Sequence, residues 1–370
     1  SIGAGPRTVR ETAAGDNRYD IVFVGDWRSY GGPQKSMIEE IRALKAAGLR
    51  IAVCHLEAFR FMTKERTPNC VQIRQMIHER VVDEVLTSAE IEVGIVMLRY
   101  PPILQFNQHE QARWKVGRAM IVVNQAPHEL DGSDMRYHVP DCVRNFRRIF
   151  GCHAVWAPQG PIVRKEIESL VPAGLLDPED VVGIIDVSEW LSPRRELGDR
   201  PIIGRYSRDN ALKFPAEASV LLQVYPDSPD IDVRIMGGLQ SCAALLGEDG
   251  IPANWTMYAY DEVPLGDFLA CIDFFVYFDN DEIVEAFGRS ILEAMAGGCV
   301  VVLPHKFEEV FGEGALYAAP DEVEALFRRI HADPAHYAEL CARTAEHVRR
   351  RFSHDSYASR IIPMLQARSA

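Results

Sequence analysis

A succession of short, unbroken apolar runs, each followed by a turn-rich break and a stretch of helical periodicity, constrains this chain more than any other feature. The first run is YDIVFVGD, residues 19–26. It leads through WRSYGGP into KSMIEEIRALKAAGLR, where Met37, Ile41 and Leu44 recur at helical spacing and Ile38 and Ala47 widen the same stripe. Pro33 suits the first turn of that helix and Gly48 its end. IAVCHL follows as a second strand, which completes a βαβ unit. Strands buried on both faces of a parallel sheet read as continuous apolar runs. EVGIVMLRY (92–100), AMIVVNQ (119–125) and HAVWAP (153–158) continue the pattern, with helices expected around 108–116, 140–149 and 161–169.

The alternation stops at VPAGLLDPEDVVGIIDVSEWLSPRRELGDRP, rich in Pro, Gly and Asp, which places a domain boundary at about residues 185–200. It then restarts. PIIGRYS, DVRIMGG, WTMYAYD, DFFVYF and CVVVLP read as strands; FPAEASVLLQVY, 264–271 and 288–297 read as helices, and the chain is helical from Asp321 on. With 370 residues, two domains are expected. The fold class is therefore α/β, with two Rossmann-like β/α/β domains facing across a cleft.

Composition narrows the function. Forty Lys plus Arg against 53 Asp plus Glu give a net charge of −13, which argues against a general grip on nucleic acid. The eight cysteines form no Cys-x-x-Cys pair and no zinc spacing, so buried thiols in a reducing compartment, the cytoplasm, are the simpler reading. No run reaches 18 apolar residues. SIGAGPRTVRETAAGDNR lacks a signal peptide's apolar core and reads as a lead-in or linker.

The segment NDEIVEAFGRSILEAMAGGCVVVLP, residues 280–304, carries the chemistry. Glu285 falls in the loop before a helix and Glu293 about two turns into it, so both can face one ligand with the helix start between them. A helix N-terminus beside Gly288 offers free N–H groups and positive dipole to an anion. Carboxylates flanking a bound diphosphate would receive hydroxyls of a sugar and a ribose. Taken alone, two such glutamates would more simply be solvated acids.

This segment resembles the E-x7-E signature of retaining glycosyltransferases with the two-Rossmann GT-B fold, of the glycosyltransferase family 4 (group 1) type. The resemblance implies that Glu285 contacts the donor sugar and Glu293 the ribose, with Phe287, Gly288 and Arg289 lining sugar and phosphates. Where that family commonly has Pro, this chain has Ala286. The resemblance also gives the domains their roles. Residues 1–18 are the lead-in, 19–190 an acceptor-binding domain, 191–352 a nucleotide-sugar-binding domain, and 353–370 a helix crossing back to the first domain.

In IIGRYSRDNALKFP, Arg205 ends a strand and Lys213 precedes a helix, where ligands of such sheets bind. The resemblance implies that Arg205 and Lys213 neutralise the leaving diphosphate, with Arg208 as a rival; surface charge is the bland alternative. Gly31 and Gly32 suit either close approach of a phosphate or acceptor, or a tight turn. The resemblance would bring them to the donor. NQAPHELDGSD follows a strand, and His128 is its candidate for a place near the transferred sugar, with Asn124, Gln125 and Asp131 beside it. In HKFEEVFGEGALYAAP, Glu309 is a candidate for the nucleoside pocket. The Gly-x-Gly-x-x-Gly dinucleotide fingerprint is absent. Asp230 and Asp232 read as a polar turn, so no metal is expected.

The implied reaction is transfer of a sugar from a nucleoside-diphosphate sugar to an acceptor hydroxyl with retained configuration, the donor being a substrate and no cofactor being required. A saccharide, a lipid-linked acceptor or a small molecule are all compatible, as in bacterial surface polysaccharide or glycoconjugate synthesis. Peripheral association with the inner face of a membrane stays open. The rivals are a nucleotide-sugar epimerase or glycan phosphorylase of the same fold, and a non-catalytic sugar-binding module.

Overall fold

The computed structural model describes residues 17–59, 67–129, 132–190 and 196–366. The expected lead-in lies outside the described residues up to residue 16, as does Asp131. The chain forms two compact units. One comprises the described residues up to His128, Gly132–Val182 and those from Tyr357 on; the other comprises Gly183–Ser356 with Glu129.

In the first unit, β1 (Arg18–Gly25), α1 (Gly32–Ala46), β2 (Ile51–His55), α2 (Val71–His78), β3 (Asp83–Glu84) and β4 (Ile91–Arg99) come in turn, then β5 (Trp114–Val123), α3 (Val139–Phe150), β6 (Val155–Pro158) and α4 (Pro161–Ile167). The strands are parallel in the order β3-β2-β1-β4-β5-β6. Ile21, Val22, Phe23 and Val24 of β1 are fully buried, as two-sided cover by helices requires. The helix expected at 108–116 is absent. Trp114–Val123 is instead one long strand whose first half, between buried Trp114 and buried Ala119, carries exposed Lys115 and Gly117 and half-buried Val116 and Arg118. That half-exposed stretch breaks the apolar run that marks the rest of the strand.

The second unit contains α5 (Val187–Trp190), β7 (Ile202–Tyr206), α6 (Ala218–Val224), β8 (Asp232–Met236), α7 (Leu239–Leu246), β9 (Trp255–Tyr258), α8 (Leu265–Ala270) and β10 (Phe274–Val276). It continues with α9 (Arg289–Ala296), β11 (Val300–Leu303), α10 (Glu308–Phe311), β12 (Leu316–Tyr317), α11 (Val323–His331) and α12 (Pro334–Phe352). Its parallel sheet runs β12-β11-β10-β7-β8-β9. Counted from its own first strand, each sheet therefore has the order 3-2-1-4-5-6 of a doubly wound Rossmann-like fold. The strand order reverses between β1 and β4 in one sheet and between β7 and β10 in the other. In such sheets ligands bind beyond the carboxyl ends of the strands at that reversal.

Gly204 shows how tightly β7 is hemmed in. It lies opposite Phe275 of β10 and Arg234 of β8, and a Cβ there would stand 2.7 Å from the side chain of Ile272. The last helix, α13 (His354–Gln366), packs into the first unit from Tyr357 on. Tyr357 is buried with its hydroxyl 3.1 Å from Met97 Sδ, and Arg360 donates to the main-chain carbonyls of Glu179 and Asp180. Among the described residues no helix is long and apolar enough to cross a membrane.

Candidate active site

At the reversal point of the second sheet, β7 ends in Arg205 and Tyr206, and β10 is followed by Tyr277, Phe278 and Asp279. Arg205 has no exposed surface. Its guanidinium lies 3.9 Å from the ring centroid of Phe214 and 4.7 Å from that of Tyr277. It donates to the carbonyls of Phe278 (2.9 Å) and Lys213, and to Ser207 Oγ (3.3 Å). A buried cation is tolerable because carbonyls and ring faces replace its hydration. Arg205 is thus enclosed beneath the site, and what it grips is the backbone of Lys213.

Lys213 ends the short turn Ala211–Lys213, capped by the Asn210 side chain, which accepts from Leu212 N. Its ammonium donates to Glu285 Oε2, and the Tyr277 hydroxyl approaches the same oxygen at 3.4 Å. The two paired side chains keep 20% and 16% of their exposure, so the pair is sheltered yet reachable. Burial, and then the charge of Glu285, push the Tyr277 hydroxyl well above its usual range.

Beyond Glu285 the chain turns into α9 at Gly288, whose φ of +84° lies in the left-handed region that favours glycine. A Cβ there would also stand 2.7 Å from Ile291 Cδ1. The helix start carries no side-chain cap and no acidic residue in its first turn. Its leading N–H groups have no intrahelical partners and present the positive end of the dipole. Glu293, 6% exposed, accepts from Arg289 Nε at 3.1 Å one turn earlier. Arg289 also donates to the carbonyl of Ile184 at 2.7 Å, which ties α9 to the segment entering this unit.

Phe287 was expected to line sugar and phosphates. Its ring instead sits in the core, 5.4 Å from Phe311 and 5.9 Å from Phe352 between centroids, and it fills the space above Gly183. Glu309 is exposed on α10.

In the first unit, Gly31 caps α1 and Gly32 begins it. Neither has a left-handed φ, and a Cβ on Gly32 would meet nothing within 4 Å. Neither conformation nor packing therefore demands glycine at position 32. His128 is half-buried in the segment beyond β5. At this sheet's own reversal point, Arg99 ends β4 fully buried, paired with buried Glu40 of α1 and donating to Gln159 at 3.2 Å.

Sequence reading had not singled out Asp279 or Lys306. They form a second ion pair beside Lys213 and Glu285, with Lys306 Nζ 2.6 Å from Asp279 Oδ1. Burial raises the Asp279 carboxyl above its usual range despite Lys306, and it feels the charges of both Glu285 and Lys213. The available signal was positional: each follows an apolar run by a few residues, at a strand's carboxyl end. Among the described residues no three His, Cys, Asp or Glu side chains come together as a metal site.

No family model matches the chain, and no curated protein matches its sequence. Solved structures match its fold, the two-unit GT-B architecture. Anabaena HepE in complex with UDP and glucose is 12% identical with a TM-score of 0.67, covering 94% of this chain and 100% of that one. Sucrose-phosphate synthase from Thermosynechococcus elongatus is 15% identical with a TM-score of 0.61, covering 94% and 98%. A glycosyltransferase from Rickettsia africae is 13% identical with a TM-score of 0.62, covering 95% and 98%.

Proposed function

We propose that this protein is a glycosyltransferase that moves a sugar from a nucleoside-diphosphate sugar to an acceptor hydroxyl, with retention of configuration and without a metal ion. The observation that carries this reading is the placement of Glu285 and Glu293 on either side of the uncapped start of α9, with Lys213 bonded to Glu285, beside a sheet's reversal point. One carboxylate is available to sugar hydroxyls and the other to a ribose, and the helix start between them suits a diphosphate.

As the C–O bond to the leaving group breaks, the sugar gains oxocarbenium character and negative charge grows on the diphosphate. Lys213 and the N–H groups at the start of α9 would meet that charge where it develops. Arg205 would act through Lys213, whose backbone it holds. The leaving phosphate would take the proton of the acceptor hydroxyl on the same face as it departs. In this reading Glu309 borders the nucleoside. Phe287 and Arg289 would serve by fixing the loop and helix that carry the two glutamates.

UDP-hexoses are the first donors to try, since HepE was solved with UDP and with UDP-glucose. The acceptor is a hydroxyl of a saccharide, a lipid-linked sugar or a small molecule. The test is release of nucleoside diphosphate from a panel of sugar donors, followed by NMR of the new anomeric centre. Product with the donor's configuration supports the reading; inverted product would remove the retaining mechanism, and no turnover of any donor would remove the activity.

A further inference from the structure

The chain passes from one unit to the other at Val182–Gly183 and again at Ser356–Tyr357. Each unit fastens the two passages to one another on its own side. In the second unit Ile185 N donates to the Phe352 carbonyl at 2.9 Å, and Ile185 bridges Ser353 in parallel. In the first unit Arg360 donates to the carbonyls of Glu179 and Asp180 and stands 3.4 Å from the Asp177 carboxylate. Val181 N also donates to the Pro158 carbonyl at 2.8 Å, so the first passage is left with residues 182–184 as its link. A short stretch held at its two ends by different bodies is where relative movement is absorbed.

Two of these three residues rest on the segment that carries the glutamates. Gly183 lies against the Phe287 ring, where a Cβ would stand 2.5 Å from Phe287 Cε1. The Ile184 carbonyl accepts from Arg289 Nη1 at 2.7 Å, and the same guanidinium gives its Nε to Glu293 Oε1 at 3.1 Å. Ile184 is 2% exposed, whereas the Glu293 side chain keeps 8%. One rigid plane thus joins a buried carbonyl of the link to the carboxylate, through two different nitrogens. A helix pair between residues four apart needs the Nε contact alone. The bond to Ile184, 105 residues away in the chain, is what reaches outside the helix.

We propose that Arg289 is a positioning residue that couples the nucleotide site to this link. A ribose held on Glu293 fixes the guanidinium, the guanidinium fixes the Ile184 carbonyl, and residues 182–185 stiffen when nucleotide is bound. This rests on reading Glu293 as the ribose ligand of a nucleoside-diphosphate site. It goes beyond that reading in giving donor binding a route to the connection between the units. Such coupling is reciprocal, so a stiffened link also favours nucleotide.

The test is amide hydrogen exchange of the full chain, read by mass spectrometry on peptides covering residues 182–186. Exchange is followed with and without the nucleoside diphosphate that wild type prefers among UDP, GDP, dTDP and ADP, at saturation set by calorimetry. Wild type is expected to exchange about tenfold more slowly there when nucleotide is bound, within the range that such couplings span. Arg289→Lys keeps a cation beside Glu293 but has one nitrogen in place of the fork. Its bound form should show no such slowing, while peptides across the start of α9 remain protected by nucleotide. A merely structural role would speed exchange in the variant equally with and without nucleotide and leave the ratio as in wild type. That result, or bound wild type without protection of residues 182–186, would overturn the proposal and leave the site's reading intact. So would complete loss of nucleotide binding in Arg289→Lys, which would make Arg289 a ligand contact. A wild-type protein that binds no diphosphate would overturn both.

Discussion

Arg205 holds the main-chain carbonyl of Lys213, and the side chain of Lys213 in turn holds Glu285. One buried guanidinium thus sets the position of a charge pair at the surface of the site. This separates two effects that a sequence pattern alone would merge, namely stability and reactivity.

Arg205→Ala would strand the carbonyls of Phe278 and Lys213 in the interior and is expected to cost about 2–4 kcal/mol of folding stability. Activity should fall with it. Lys213→Met leaves those carbonyls bonded and is expected to change stability by less than about 1 kcal/mol, while lowering kcat by about a hundredfold through lost charge stabilisation. Thermal unfolding and initial rates measured on both variants check the split. A stable Arg205→Ala protein with a selective rate defect would show that the guanidinium reaches the reaction itself.

The two glutamates should also part company. Glu293→Ala is expected to weaken binding of nucleoside diphosphate and sugar donor alike, because the ribose contact proposed for Glu293 would be common to both. Glu285→Ala should reduce transfer much more than binding of free nucleoside diphosphate. Calorimetry and donor turnover at matched active-protein concentration distinguish them, and activity equal to wild type in both variants would sink the assignment.

Phe287 belongs to the core cluster with Phe311 and Phe352, so Phe287→Ala should behave as a cavity mutation and lose about 3–5 kcal/mol in denaturant unfolding. Phe287→Leu, which refills most of the volume, should recover much of that loss. Wild-type stability in the alanine variant would place the ring outside the core.

Asp279 gives a pH dependence with a definite sign. Its carboxyl is raised above 3.8 in the folded protein, so between 3.8 and the raised value the native state binds more protons than the unfolded chain. Stability contributed by this group is therefore present at low pH and lost as pH rises through that window. Asp279→Asn removes the term. The stability of wild type relative to Asp279→Asn should fall as pH rises above about 4, as followed by Tm against pH. A difference that grows with pH would mean that Lys306 outweighs burial.

The alternation of apolar runs with helical stretches was enough to read β1, β2, β4, β7 to β11 and the helices α1, α3, α4, α6, α8 and α9, because strands covered on both faces leave no polar interruptions. It was insufficient for β5, where exposed Lys115 and half-buried Arg118 interrupt the apolar run and hide the strand's first half, and for the short α2 and α7, which the reading passed over. The glutamate spacing and the helix start at Gly288 could be read because they are local. The Lys213–Glu285 bond, between residues 72 apart, and the Asp279–Lys306 pair could not. Both depend on which strands become neighbours, and strand order is set by the packing of the whole sheet. The burial of Phe287 and Arg205 was hidden for the same reason: an aromatic or an arginine near a motif carries no local mark of the side it faces.

The most direct test of the central claim is calorimetric titration of wild type and Glu293→Ala with UDP, GDP, dTDP, ADP and CMP, without added metal. The account predicts that wild type binds one nucleoside diphosphate in preference to the rest and that Glu293→Ala loses most of that affinity. Absence of binding to every nucleotide, or affinity unchanged by the substitution, would contradict it.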